Sequence, residues 1–174
     1  MTKTGHQIIG FSGALVLGVM GHIPEAVGFL FGSTAPDTLE MSYKKLGSEG
    51  TKAWHYGRII KHRTLTHFWP LWVAALYLSI MVIPSYSSLH QILNYHIDLV
   101  ILLNAAFLGY IAGGLGHLIT DSATPMGIPL KTPYGKRFSF NLYKTGGIEW
   151  LFLTPLLISS FIFSGYEIYI RNII

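Results

Sequence analysis

From Ile97 to Ile119 the chain contains a single charged residue, Asp98, and this stretch limits the fold more than any other. A helix rises about 1.5 Å per residue, so roughly 20 apolar residues cross the ~30 Å hydrocarbon core of a bilayer. In water such a helix would have to be enclosed by protein on every side. Of the 174 residues 51% are apolar and 11% are charged, against about 25% charged in a soluble domain. There is too little charge to build a wet surface around a buried helix of this length, and a lipid-facing surface is the consistent reading.

The other apolar segments extend this to an all-α fold, a multi-pass transmembrane helical bundle of about four membrane segments. The first runs from Ile8 to Phe31 and is interrupted by His22-Ile23-Pro24-Glu25, which is costly at mid-membrane unless it lies in a turn or against protein. The run is therefore either one kinked span or a short re-entrant hairpin that enters and leaves on the same side. Gly5-His6-Gln7 stands where a signal peptide carries its basic region, and no small-residue cleavage site follows, so the run reads as mature protein. Phe68 to Pro84 is the second segment, with Trp69 and Trp72 near one interface. Residues 85–96 carry no Lys or Arg and read as an outer turn. Ile97 to Ile119 and Ile148 to Phe163 complete the set.

Two long loops, 32–67 and 120–147, hold most of the basic residues: Lys44, Lys45, Lys52, Arg58, Lys61 and Arg63 in the first, Lys131, Lys136, Arg137 and Lys144 in the second. The positive-inside rule makes both cytoplasmic. A net charge of +4 distributed between apolar segments points to topology and anionic lipid head groups, and away from nucleic acid. With no internal repeat or low-complexity linker, residues 1–174 read as a single membrane-embedded domain.

The chain has no cysteine, which excludes disulfides and thiolate zinc sites. A transition metal would be held by imidazole and carboxylate, and eight histidines stand beside eight acidic residues. Within Gly109 to Thr124, His117 and Asp121 are four apart and share one helix face. Gly113, Gly114 and Gly116 just before them allow a neighbouring backbone to approach closely. The first loop brings Asp37, His62 and His67 to the same face of the membrane, and His6 joins them if the N-terminal run is a hairpin. His62 and His67 lie roughly 140° apart on a helix, so they share one ion only in a turn; otherwise there are two ions. Lys61 and Arg63 could pair with an anionic substrate. Each basic residue also has a plainer use in topology or lipid contact, and a lone His one in interfacial hydrogen bonding; His55 could be an extra ligand or have no role, and His22 is assigned none.

Several blocks together resemble the YdjM-type predicted membrane-bound metal-dependent hydrolases of bacteria. They are GHQ near the start, SxxPD at Ser33 to Asp37, HRxxTH at His62 to His67, GYxxxxxxHxxxDxxTPxGxPL at Gly109 to Leu130, the basic and aromatic PYGKRFSF, and Glu149 after a glycine pair. A looser similarity links the pattern to the zinc-dependent phospholipase C group. The resemblance implies His6, Asp37, His62, His67, His117 and Asp121 as metal ligands, with Arg63, Thr124 and Glu149 in supporting or substrate-binding roles. The chain departs from the pattern in the glycines between Gly113 and Gly116 and in its loop between Asp37 and His62.

The expectation is an integral inner-membrane metal-dependent hydrolase acting at the cytoplasmic interface. Its cofactor would be one or two divalent ions, zinc first and manganese second, that activate water against an ester or phosphoester of a lipid-like or phosphorylated substrate. Asp37 or Glu149 would move protons and Arg63 would stabilise developing negative charge. The alternatives are a non-catalytic metal-binding membrane protein, a transporter or a sensor, and a structural membrane protein.

Overall fold

The computed structural model describes residues 1–40, 60–89 and 97–172. His55, the basic residues Lys44, Lys45, Lys52 and Arg58, and most of the expected outer turn lie outside them.

The N-terminal apolar run is a hairpin of two helices. Helix α1 (Lys3–Val19) starts at Thr2, whose hydroxyl accepts from the Gly5 amide at 3.1 Å, a standard cap for a helix start. Gly21 turns the chain with φ +91°, a conformation that favours glycine. Helix α2 (Ile23–Gly32) then begins with Pro24 in its first turn, where a missing amide hydrogen costs nothing. His22 is thereby left in the exposed turn, 3.7 Å from Glu25. The kinked-span alternative is set aside, and the start of α1 returns next to the end of α2.

A short helix α3 (Ala35–Thr38) follows, and later a 3-10 turn, Leu65–His67, leads into α4 (Trp69–Leu89). Helix α5 (Ile97–Ser122) and helix α6 (Trp150–Arg171) are the two longest. Between them the second loop forms a small antiparallel pair, β1 (Ile128–Pro129) with β2 (Arg137–Phe138), where the all-helical reading expected only loop. Segments Leu99–Ser122 and Trp150–Arg171 are long and apolar enough to cross a membrane, while the apolar stretches Ile23–Gly32 and Trp69–Met81 are shorter. Only 22% and 17% of the most apolar windows in the two long helices are buried, so neither has the enclosure of a soluble core helix. Among the described residues the fold is mostly helical with two candidate spans, where four were expected.

Helix α2 runs parallel to α5 along a seam built from glycines on both sides. Gly28 and Gly32 face the Ala106 and Tyr110 carbonyls, while Gly109 and Gly113 face those of Glu25 and Phe29; a Cβ at any of the four would collide with backbone. Two interlocked small-xxx-small pairs thus replace side-chain packing by backbone contact. Gly114, on another face of α5, admits the Trp72 indole, and Ser79 on α4 bonds Asn104 on α5 at 2.6 Å. Since α4 runs antiparallel to α5 and α6 runs alongside α1, one end of the molecule collects the starts of α1, α4 and α6 and the ends of α2 and α5.

Candidate metal centre

That shared end is where the polar residues are buried. His6, His67, His117, Asp121, Glu40, Thr124 and Glu149 are each at most 1% exposed, an expensive arrangement unless every polar atom has a partner.

The partners behind the imidazoles decide what faces inward. The glycine seam brings Ser33 against α5, and the Ser33 carbonyl accepts from His117 Nδ1 at 2.8 Å. A carbonyl can only accept, so Nδ1 carries the ring hydrogen and Nε2 presents a lone pair. Behind His67, Nδ1 lies 3.2 Å from Glu40 Oε1 and 3.1 Å from Thr66 Oγ1, and donation to the carboxylate likewise leaves Nε2 as a lone pair. The two Nε2 atoms face each other at 3.2 Å. Two acceptors at that distance repel unless a cation lies between them.

Carboxylates complete the arrangement. Asp121 Oδ2 is 3.4 Å from His67 Nε2 and 3.5 Å from His117 Nε2. Asp37 places Oδ1 3.5 Å from His67 Nε2 and Oδ2 4.0 Å from His117 Nε2. Metal bonds of about 2.0–2.1 Å in a tetrahedron imply ligand separations of about 3.3–3.4 Å, and four of these five distances lie within about 0.2 Å of that range. His6 stacks on His117 with ring centroids 3.5 Å apart, its Nε2 3.3 Å from Asp121 Oδ1 but not aligned for a hydrogen bond. Both His6 ring nitrogens and Asp37 Oδ1 are buried without a hydrogen-bond partner. Orphaned atoms of this chemistry fit a hard or borderline divalent ion.

The ligand-type residues form two groups that could hold a metal ion, His6 with His117 and Asp121, and Asp37 with Glu40, His62 and His67. His62 Nδ1 lies 2.8 Å from Glu40 Oε2 and 3.6 Å from Asp37 Oδ1. Asp37 is 30% and His62 14% exposed in their side chains, so the centre opens along this edge. Burial alone would raise the Asp37 carboxyl, but the imidazoles of His117, His67, His62 and His6 outweigh it and hold the group below its ordinary range.

Arg63 takes a left-handed backbone conformation, φ 55°, that is uncommon for a non-glycine residue. Its amide donates to Glu40 Oε1 at 2.9 Å, and its buried guanidinium donates to Asp121 Oδ1 at 2.8 Å, Thr124 Oγ1 at 3.0 Å and the Gly127 carbonyl at 3.3 Å. The Met1 amino nitrogen also lies 2.6 Å from Asp121 Oδ1. Glu149 stands apart from both ligand groups: it accepts from the hydroxyl and the amide of Thr2 and so anchors the start of α1, four residues ahead of His6, whose amide donates to the Thr2 carbonyl.

All six expected ligands are thus gathered at one end. Glu40, which supports both His62 and His67, was not expected, although it lies only three residues after Asp37, in the turn that follows α3. The Ser33 carbonyl was equally unforeseen, because it reaches His117 only through the seam. Neither a curated protein nor a solved structure matches the chain. The family model described as YdjM inner membrane protein matches residues 1–172, and with agreement over nearly its whole length the chain belongs to the YdjM inner membrane protein family.

Proposed function

We propose that the chain is a multi-pass inner-membrane hydrolase whose metal centre lies at the cytoplasmic interface and which cleaves an ester or phosphoester of a lipid-like substrate. The observation that carries this reading is the pair of imidazole lone pairs held face to face beside two carboxylates and left open at Asp37. A closed structural site would have no such opening. A divalent ion, zinc first and manganese second, supplies an acidified water when bound. Asp37, ionised and at the open edge, is placed to take up and return a proton. Arg63 and Glu40 hold Asp121 and the two histidines in position, and Glu149 acts at one remove through Thr2. An apolar cavity of about 380 Å³, lined by Leu39, Leu65, Trp72, Phe107 and Tyr110 among others, adjoins Thr66; it suits the apolar part of a substrate whose polar group reaches the centre.

The reading is tested by metal content, measured by mass spectrometry on the detergent-purified protein beside His117→Ala and Asp121→Ala. Wild type should carry one or two zinc or manganese ions per chain and both variants should lose them; the loaded protein should then hydrolyse a member of a panel of phosphoester and acyl-ester lipids. Equal trace amounts in all three after metal is offered would overturn it. Full loading with no hydrolysis across the panel favours the transporter or sensor.

A further inference from the structure

The guanidinium beside the centre, Arg63, is buried, already donates to Asp121, Thr124 and Gly127, and has its charge matched by Asp121. The hairpin above it carries a second one. Arg137 on β2 donates from Nη2 to the His62 carbonyl at 3.3 Å and is otherwise exposed. It is therefore attached to the residue that, with Asp37, forms the open edge of the centre.

This arm is held in place. Pro129 and Arg137 pair across the ladder, Ser139 Oγ donates to the Thr124 carbonyl, and the Phe140 and Leu142 amides donate to the Ser122 and Ala123 carbonyls at 2.8 Å each. The hairpin is thereby tied to the last turn of α5, which carries Asp121. A donor fixed in advance loses little freedom when it binds.

The charge around Arg137 is one-sided. Residues 122–148 include Lys131, Lys136 and Lys144 and no Asp or Glu, and all three lysines are exposed. Among the described residues none of these cations is in an ion pair. A neutral acyl ester needs no such charge at the mouth of a site. A phosphate group carries one or two negative charges at pH 7, and its oxygens match the guanidinium fork.

We infer that Arg137, in the positive field of the hairpin lysines, binds a phosphate group at the open edge of the centre, so that the substrate is a phosphate-bearing molecule. The inference rests on the hydrolase reading for calling that molecule a substrate; the phosphate site itself stands on the hairpin. Two sources share this chemistry, a phospholipid head group and a water-soluble phosphoester. Tyr134, Phe140 and Leu142, 74%, 60% and 62% exposed, stand among the cations, and such a mixture of aromatic and basic side chains suits a membrane interface.

The test measures equilibrium binding of radiolabelled orthophosphate to the full chain in nanodiscs, with metal content recorded on the same samples. Wild type, Arg137→Ala, Arg137→Lys and Arg171→Ala are compared; Arg171 pairs with Glu167 far along α6 and serves as the control. Arg137→Ala should bind about ten- to a hundredfold more weakly, Arg137→Lys should fall between, and Arg171→Ala should match wild type. If phosphatidate added to phosphatidylcholine discs displaces orthophosphate, the head group is the source; if it does not, the source is soluble. Arg137→Ala binding as tightly as wild type, or no phosphate binding by wild type with or without metal, overturns the inference. Normal metal content without phosphate binding removes this inference alone, whereas Arg137-dependent phosphate binding in a protein that never takes up metal keeps the anion site and removes the hydrolase.

Discussion

The two ends of α5 live under opposite rules. Near its start Leu99, Ile101, Leu102, Leu103 and Phe107 are about half exposed, while near its end His117, Asp121 and Ser122 are almost wholly buried. A water-soluble protein would reverse this gradient, since burial there is driven by apolar surface. Here the surroundings accommodate the apolar end at little cost, and what the fold encloses is its polar chemistry. Each polar group at the buried end therefore needs a specific partner, one that the His6 ring nitrogens and Asp37 Oδ1 do not find within the protein, and the exposed end needs almost none.

The sharpest way to break this contrast is Asp121→Ala. It leaves the buried Arg63 charge without its anion, a loss of about 3–5 kcal/mol, and should bring metal content to background. Thermal unfolding in detergent and metal analysis read both effects; a variant that kept its stability and its metal would show that the two ends do not differ in kind. Next comes Gly113→Val, in the seam and touching no ligand. The added side chain meets the Phe29 carbonyl and the Ser33 amide, a cost of about 1–3 kcal/mol, and metal affinity should fall as well because Ser33 moves away from His117. Gly165→Ala, which faces open space, is its control and should be neutral or stabilising by up to about 1 kcal/mol. Destabilisation by Gly113→Val with unchanged metal affinity would separate seam from centre.

Glu40→Gln is milder. It keeps the shape of the side chain but weakens the hold on His62 and His67, and chelator competition should show about 10- to 100-fold lower metal affinity with a small change in unfolding temperature. At the bottom of the scale, Leu102→Ala at the exposed end should change stability by no more than about 0.5 kcal/mol, as measured by unfolding in lipid. A loss of several kcal/mol there would mean that the exposed face is covered by protein.

The same contrast explains what could be read from sequence. His117 and Asp121 are legible because their spacing lies within one helix, and the N-terminal hairpin was one of two readings because His22-Ile23-Pro24-Glu25 interrupts the apolar run. The seam was only half visible: glycines before His117 announced a close approach, but Gly28 and Gly32 gain their meaning from α5, about 80 residues away. Glu40 lay in a stretch read as polar loop, with only its spacing from Asp37 to mark it. Arg63 looked like a free cation because Asp121, which neutralises it, and Thr124, which accepts from it, are distant in the chain. Glu149, expected to move protons, is held by Thr2, a partner no local pattern predicts.

The gathering of every ligand at the end shared by the basic segments also bears on how the chain is made. For a chain inserted with that end toward the cytosol, no imidazole or carboxylate of the centre crosses the hydrocarbon, where an ionised side chain costs about 2.5–3.5 kcal/mol. On the proposed reading, metal would be taken from the compartment in which the chain is translated, and the site would be complete only once α2 packs on α5 and brings Ser33 to His117.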